Sequence, residues 1–99
     1  MDARRRGGTA RRGGPFPPPG RILPAFPRAK RVPPKTPRRN GAGLRQRWID
    51  PDDGRIFEWD SQHGSVEVYA RRGKPHLGEF DPYTGRQLKG PNPQYEVEP

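Results

Sequence analysis

A chain of 99 residues with 27% hydrophobic content, 15 prolines and 13 glycines has too little apolar side chain for a large core, which limits it to one small domain plus a disordered segment. It has no cysteine, so disulfides and thiolate zinc sites are excluded, and its two histidines, with twelve residues between them, do not suggest a metal cage. The net charge of +9 is unevenly placed: residues 1–47 carry 14 Lys/Arg and one acid, while residues 48–99 carry 6 Lys/Arg and 10 acids.

From Met1 to about Gly43 there is no apolar periodicity, and the runs Arg4-Arg5-Arg6, Arg11-Arg12, Pro17-Pro18-Pro19 and Pro33-Pro34 read as a disordered basic arm with short polyproline-like stretches. Such an arm suits a polyanion, either nucleic acid or an anionic membrane surface; the bland alternative is a solubilising tail. Phe16, Ile22, Leu23 and Phe26 are too sparse to define an element. No apolar run approaches the roughly 20 residues that cross a bilayer, the Arg-rich start lacks the apolar stretch of a secretory signal, and the arm has no amphipathic face for membrane activity.

At Leu44 the texture changes to short β-branched and aromatic runs separated by turn residues, which predicts a small all-β domain over 44–93, a strongly twisted antiparallel meander. Leu44 to Asp50 leads through Pro51-Asp52-Asp53-Gly54 into Arg55 to Asp60, a hairpin signalled by Asp-Gly between apolar runs. Ser61 to Gly64 turns into Ser65 to Arg71, where alternation puts Val66 and Val68 on one face and Ser65, Glu67 and Tyr69 on the other, solvent-facing one. His76 to Phe80 and Arg86 to Lys89 complete five strands, Gly90-Pro91-Asn92-Pro93 ends the sheet, and 94–99 form an acidic tail.

Asp60, His63 and Glu67 gather two carboxylates and an imidazole about one turn, the groups that general acid–base catalysis needs at neutral pH. On an extended strand His63 and Glu67 would lie about 13 Å apart by Cα, an upper limit that a turn at Gly64 shortens. RNA suits such a pair better than DNA, because its 2′-hydroxyl is an internal nucleophile and no metal or cofactor is required. The alternatives are a turn-capping histidine and exposed acids. Arg45 and Arg47 share a face at period two and could contact phosphate together, or form a solvated basic face; Arg71 extends the face of Glu67. Trp48, Phe57, Trp59, Tyr69, Phe80 and Tyr83 read as the small core, Tyr69 being the best candidate among them for RNA contact. His76 reads equally as structural or as an RNA contact.

At these residues the sequence resembles the cytotoxic ribonuclease domain of the ribosome-inactivating colicins. The resemblance runs from about Val32 to Pro93, through Pro34-Lys35-Thr36-Pro37, Arg45-Gln46-Arg47-Trp48, Glu58-Trp59-Asp60-Ser61-Gln62-His63-Gly64, His76-Leu77-Gly78, Phe80-Asp81-Pro82 and Gln87-Leu88-Lys89-Gly90-Pro91. It implies a bacterial toxin delivered from its producer into the target-cell cytoplasm, where it cuts small-subunit ribosomal RNA once at the decoding site. By the family pattern Glu67 is the general base, His63 the general acid and Asp60 the partner that holds His63. Arg45 and Arg47 match basic residues that approach the RNA, and an acidic immunity protein guards the producer. The chain departs from the pattern at its end, where Tyr95 stands in place of an arginine that supports catalysis; Arg71, Arg72 and Arg86 are candidate substitutes. The alternative function is a non-catalytic RNA- or ribosome-binding module.

Overall fold

In the computed structural model, which describes residues 15–39 and 43–99, six strands form one antiparallel sheet whose spatial order is the chain order. They are β1 (Lys30–Val32), β2 (Arg47–Ile49), β3 (Ile56–Asp60), β4 (Ser65–Tyr69), β5 (His76–Phe80) and β6 (Gln87–Lys89). The meander expected from the sequence is present in β2 to β6, and β1 adds to its leading edge by pairing Arg31 with Trp48.

Three connections repeat one chemical scheme. In Asp50–Gly54, Asp60–Gly64 and Asp81–Gly85 the glycine N–H donates to the aspartate carbonyl four residues earlier, at 2.7, 2.8 and 2.9 Å. Each aspartate Oδ1 also accepts a backbone N–H two residues on, from Asp52, Gln62 and Tyr83. The glycines close these turns at φ of 77°, 69° and 79°, the left-handed region that costs other residues strain. A spacing of four between Asp and Gly thus sets three of the hairpins.

The sheet has one apolar face, and an apolar face must be covered. Trp48, Phe57, Trp59, Val66 and Val68 project from it, and the cover comes from the segment before β1: Leu23 and Ala29 are buried in the same cluster, with Phe16 and Phe26 packed against it. Phe26 stacks at 4.9 Å on Phe57 and meets Phe80 edge-on at 6.2 Å. Both buried indoles find acceptors in this segment, Trp48 Nε1 donating to the Arg21 carbonyl and Trp59 Nε1 to the Phe16 carbonyl, each at 2.8 Å.

The expectation of a disordered arm up to residue 43 is therefore corrected. Of that stretch, 15–39 are placed against the sheet, and the sheet begins at Lys30 rather than Leu44. The physical reason is the sparse apolar residues themselves: a few of them suffice to close a face this small, without any periodicity of their own. Residues 36–38 then pair with 43–45 through Arg45 N–H to the Thr36 carbonyl at 2.7 Å and Arg38 N–H to the Gly43 carbonyl at 2.9 Å. The runs Arg4-Arg5-Arg6 and Arg11-Arg12 lie outside the described residues.

Candidate active site

On the face opposite the core, strand register lines up five charged residues. Arg47 pairs with Glu58, Glu58 with Glu67, Glu67 with Glu79, and Glu79 with Lys89, so three carboxylates lie abreast between two cations. The outer carboxylates are compensated. Arg47 grips Glu58 Oε2 through Nη2 at 2.7 Å and Nε at 3.1 Å, with Thr36 Oγ1 donating to the same oxygen at 2.6 Å. Glu79 accepts from Ser65 Oγ at 2.6 Å and has Lys89 Nζ at 3.8 Å. Glu67, in the middle, has no cation within ion-pair distance among the described residues other than what His76 could offer.

Burial therefore dominates its titration. Desolvation, then the charges of Glu79 and Asp60, push the Glu67 carboxyl from 4.5 up to about 7, against a smaller opposing pull from Arg45. His76 Nε2 lies 2.7 Å from Glu67 Oε1, while His76 Nδ1 accepts the Asn92 backbone N–H at 2.9 Å. With Nδ1 occupied as an acceptor, Nε2 carries the proton and donates it to Glu67. Desolvation lowers the His76 pKa and the Arg39 charge lowers it further against Glu79, which keeps the ring neutral. Tyr69 and Tyr95 flank that ring edge-on at 5.1 and 5.0 Å.

The turn after β3 supplies the second proton carrier. Asp60 Oδ1 receives the N–H groups of Gln62 and His63 at 3.0 and 3.2 Å, and Oδ2 lies 2.8 Å from His63 Nδ1. Burial raises the Asp60 pKa, but the His63 side chain and the backbone N–H groups of His63 and Gln62 together outweigh it and hold the carboxyl below its ordinary value. Nδ1 is thereby committed, and Nε2 of the half-exposed ring is left for a ligand. A cavity of about 360 Å³ joins the parts: Asp60, His63, Glu67, His76 and Glu79 line it, closed by Arg39, Lys89 and the segment Gly90–Pro93 with Tyr95.

The structure thus brings Asp60, His63 and Glu67 together, with one correction: Glu67 is 3% exposed to solvent rather than facing it, because the segment after β6 roofs that face of the sheet. Arg47 is likewise spent on Glu58 and only 1% exposed, so it does not present its guanidinium to a ligand; Arg45, 7% exposed, lies 3.9 Å from Glu58 Oε1 and borders a shallow groove with Arg38 and Arg39. Tyr69 is buried, its phenol pushed up to about 12 by desolvation and the Glu58 and Glu67 charges, and it offers no face for base stacking. Arg71 sits in the turn after β4, its side chain packed beside Gly54 at the other end of the sheet from His63, and lines neither hollow. Sequence patterning leaves His76 open and does not single out Glu79, Lys89 or Arg39; alternation in β5 is the signal that finds Glu79, whereas nothing local marks Arg39.

Among the described residues Asp60, His63 and Glu79 bring ligand atoms within 4.8 Å of one another, a set able to hold a divalent cation. The spacing of the two histidines does not anticipate this trio, which uses only one of them. No helix of the described residues is long and apolar enough to cross a membrane.

Known proteins are similar to this chain in sequence. The family described as Cytotoxic matches residues 16–98. Colicin E3 of Escherichia coli is 53% identical over 64 residues, which are 65% of this chain and 12% of that protein. Cloacin and colicin-E6, also of Escherichia coli, are each 50% identical over 64 residues, 65% of this chain and 11% and 12% of theirs. The chain therefore corresponds to a small fraction of the length of these relatives.

Proposed function

Since the chain belongs to the family of colicin-type cytotoxic domains, we propose that it is the RNA endonuclease of a bacterial toxin, which cleaves small-subunit ribosomal RNA at the decoding site and so stops translation. The observation that carries this reading is the buried Glu67, a carboxyl with a pKa of about 7 on a cavity whose rim holds an aspartate-backed histidine. A base with that pKa is half-ionised at neutral pH, where general base catalysis is most effective.

Glu67 removes the proton of a ribose 2′-hydroxyl, and the 2′-oxygen attacks the adjacent phosphorus. The bond to the 5′-oxygen breaks, and His63 Nε2 delivers a proton to that leaving oxygen. The products are a 2′,3′-cyclic phosphate and a 5′-hydroxyl, and no metal enters any step. Asp60 holds His63 through Nδ1 in the orientation the donation from Nε2 needs, and His76 holds Glu67 by one carboxylate oxygen. The toxin is released by its producer and acts in the cytoplasm of the target cell, and an acidic immunity protein covers the basic domain in the producer.

The test is cleavage of purified ribosomes in excess chelator by the wild type, His63→Ala and Glu67→Gln. One discrete small-subunit RNA fragment is expected from the wild type alone. No fragment from the wild type overturns the enzyme reading in favour of a binding module, a fragment only when divalent metal is restored assigns the chemistry to the Asp60–His63–Glu79 trio, and equal cutting by all three proteins overturns the residue roles.

A further inference from the structure

The cavity poses an electrostatic problem for any phosphate. Asp60, Glu67 and Glu79 all line it, and attack at phosphorus concentrates further negative charge on the non-bridging oxygens. Of the lining side chains only Arg39 and Lys89 are permanent cations. Lys89 is spoken for by Glu79 at 3.8 Å. Arg39, exposed, has no carboxylate within ion-pair distance among the described residues; its guanidinium instead lies over the face of Tyr95, 4.4 Å from the ring centroid. A guanidinium stacked on an aromatic ring keeps its in-plane N–H donors free, the geometry that suits bidentate contact with a phosphate.

The placement of that ring is itself fixed. Tyr95 meets His76 edge-on at 5.0 Å, and His76 is hydrogen-bonded to Glu67, so the platform under Arg39 is in register with the carboxyl two contacts away. From the other side Arg39 is carried on the pairing of residues 36–38 with 43–45, which is anchored through Thr36 Oγ1 to Glu58. The Arg39 charge is felt at both His76 and Tyr69, adding to the lowering of the His76 pKa and opposing the larger rise at Tyr69.

We propose that Arg39, seated on Tyr95, is the residue that binds the non-bridging oxygens of the scissile phosphate, and that Tyr95 is its positioning residue. This deepens the reading of the same cavity as a ribonuclease site and rests on it for the identity of the phosphodiester. The pairing sets the connection between β1 and β2 against the segment that follows β6.

Two readouts separate this inference from the function it builds on. The first is equilibrium binding of a dinucleotide with a 2′-deoxy sugar at the cleavable position, which cannot react, followed by NMR on the full 99-residue chain. The Arg39→Ala variant is expected to bind about tenfold more weakly or worse, the loss of a charge-assisted contact. Tyr95→Phe, which keeps the ring, should bind as wild type, and Tyr95→Ala should fall between. Arg71→Ala and Arg86→Ala remove the same charge from exposed turns outside the cavity and should leave binding unchanged. The second readout is single-turnover cleavage of ribosomes at saturation, where Arg39→Ala should lose about 100-fold and Arg39→Lys should recover part of it. Wild-type binding by Arg39→Ala, or an equal loss in Arg71→Ala or Arg86→Ala, overturns the proposal. Wild-type binding by Arg39→Ala while the wild type still cuts ribosomes sinks the phosphate site alone, whereas weakened binding by Arg39→Ala with ribosomes left uncut by the wild type sinks the acid–base reading alone.

Discussion

Replacing Glu67 by glutamine should make the protein more stable while abolishing cleavage, and the gain should depend on pH in a defined sense. The folded-state pKa of Glu67 is about 7 against an ordinary 4.5, so the fold favours the protonated form. Its contribution is fully present below about pH 4.5 and is lost as pH rises through 7. A tenfold change in proton affinity corresponds to about 1.4 kcal/mol, so at pH 8 the ionised carboxylate costs the fold on the order of 3 kcal/mol. Glutamine has nearly the same shape, carries no charge, and still offers Oε1 to the His76 Nε2 proton that now lies between the ring and Glu67, whose heavy atoms are 2.7 Å apart. The neighbours that raise the pKa, Asp60 on β3 and Glu79 on β5, and Arg45 before β2, which opposes them, are common to both proteins and cancel in the difference. Urea denaturation followed by the fluorescence of Trp48 and Trp59, at constant ionic strength between about pH 4.5 and 8.5, measures it directly. The two proteins should match near pH 4.5 and diverge by about 3 kcal/mol at the alkaline end. Parallel curves, or a wild type that gains on the variant as pH rises, would refute the account of Glu67 as an uncompensated carboxyl.

The same titration predicts that single-turnover cleavage by the wild type climbs with pH on a limb with an apparent pKa near 7, and a limb centred near 4.5 would contradict it. Arg47→Met leaves Glu58 buried without its partner and should cost about 3–5 kcal/mol in thermal denaturation, much of it restored by the double change Arg47→Met with Glu58→Met. Trp48→Phe removes the indole donor to the Arg21 carbonyl and should cost about 1 kcal/mol for that bond alone, seen as a lower urea midpoint. A chain beginning at Lys30 lacks Leu23, Phe26 and Ala29 from the core and should show no cooperative unfolding transition by calorimetry.

What could be read in the sequence is what is encoded locally. The turns at Asp50–Gly54, Asp60–Gly64 and Asp81–Gly85 carry their own hydrogen-bonding groups, and the alternation of Val66, Glu67 and Val68 fixes which side of β4 each occupies. The strand Lys30–Val32 is different: three residues among prolines and arginines, made a strand only by the backbone of Arg47–Ile49 beside it. Burial of Glu67 also escapes such a reading, since alternation tells which face a side chain takes but not what lies over that face. The roof is assembled from Asn92 and Tyr95, far downstream of Glu67, and its capping cation from Arg39, well upstream of it. Arg47 shows the same blindness from the other side: period two places it correctly beside Arg45, yet the identity of its cross-strand neighbour, Glu58, decides that it becomes a counter-ion.

The segment that covers the apolar face is tied to the sheet at two indoles, Trp59 through the Phe16 carbonyl and Trp48 through the Arg21 carbonyl. Seen as a mechanical joint, these ties are loaded one after the other when the chain is pulled from its N-terminal side, in the manner of a zip, whereas the β-ladders beyond them resist together. A tug on that end strips the cover and wets the core before the ladders part, so unfolding under load should begin at low force with a short extension corresponding to residues 16–29. Pulling on a chain held instead at Lys30 should lose that first step in a single-molecule force trace.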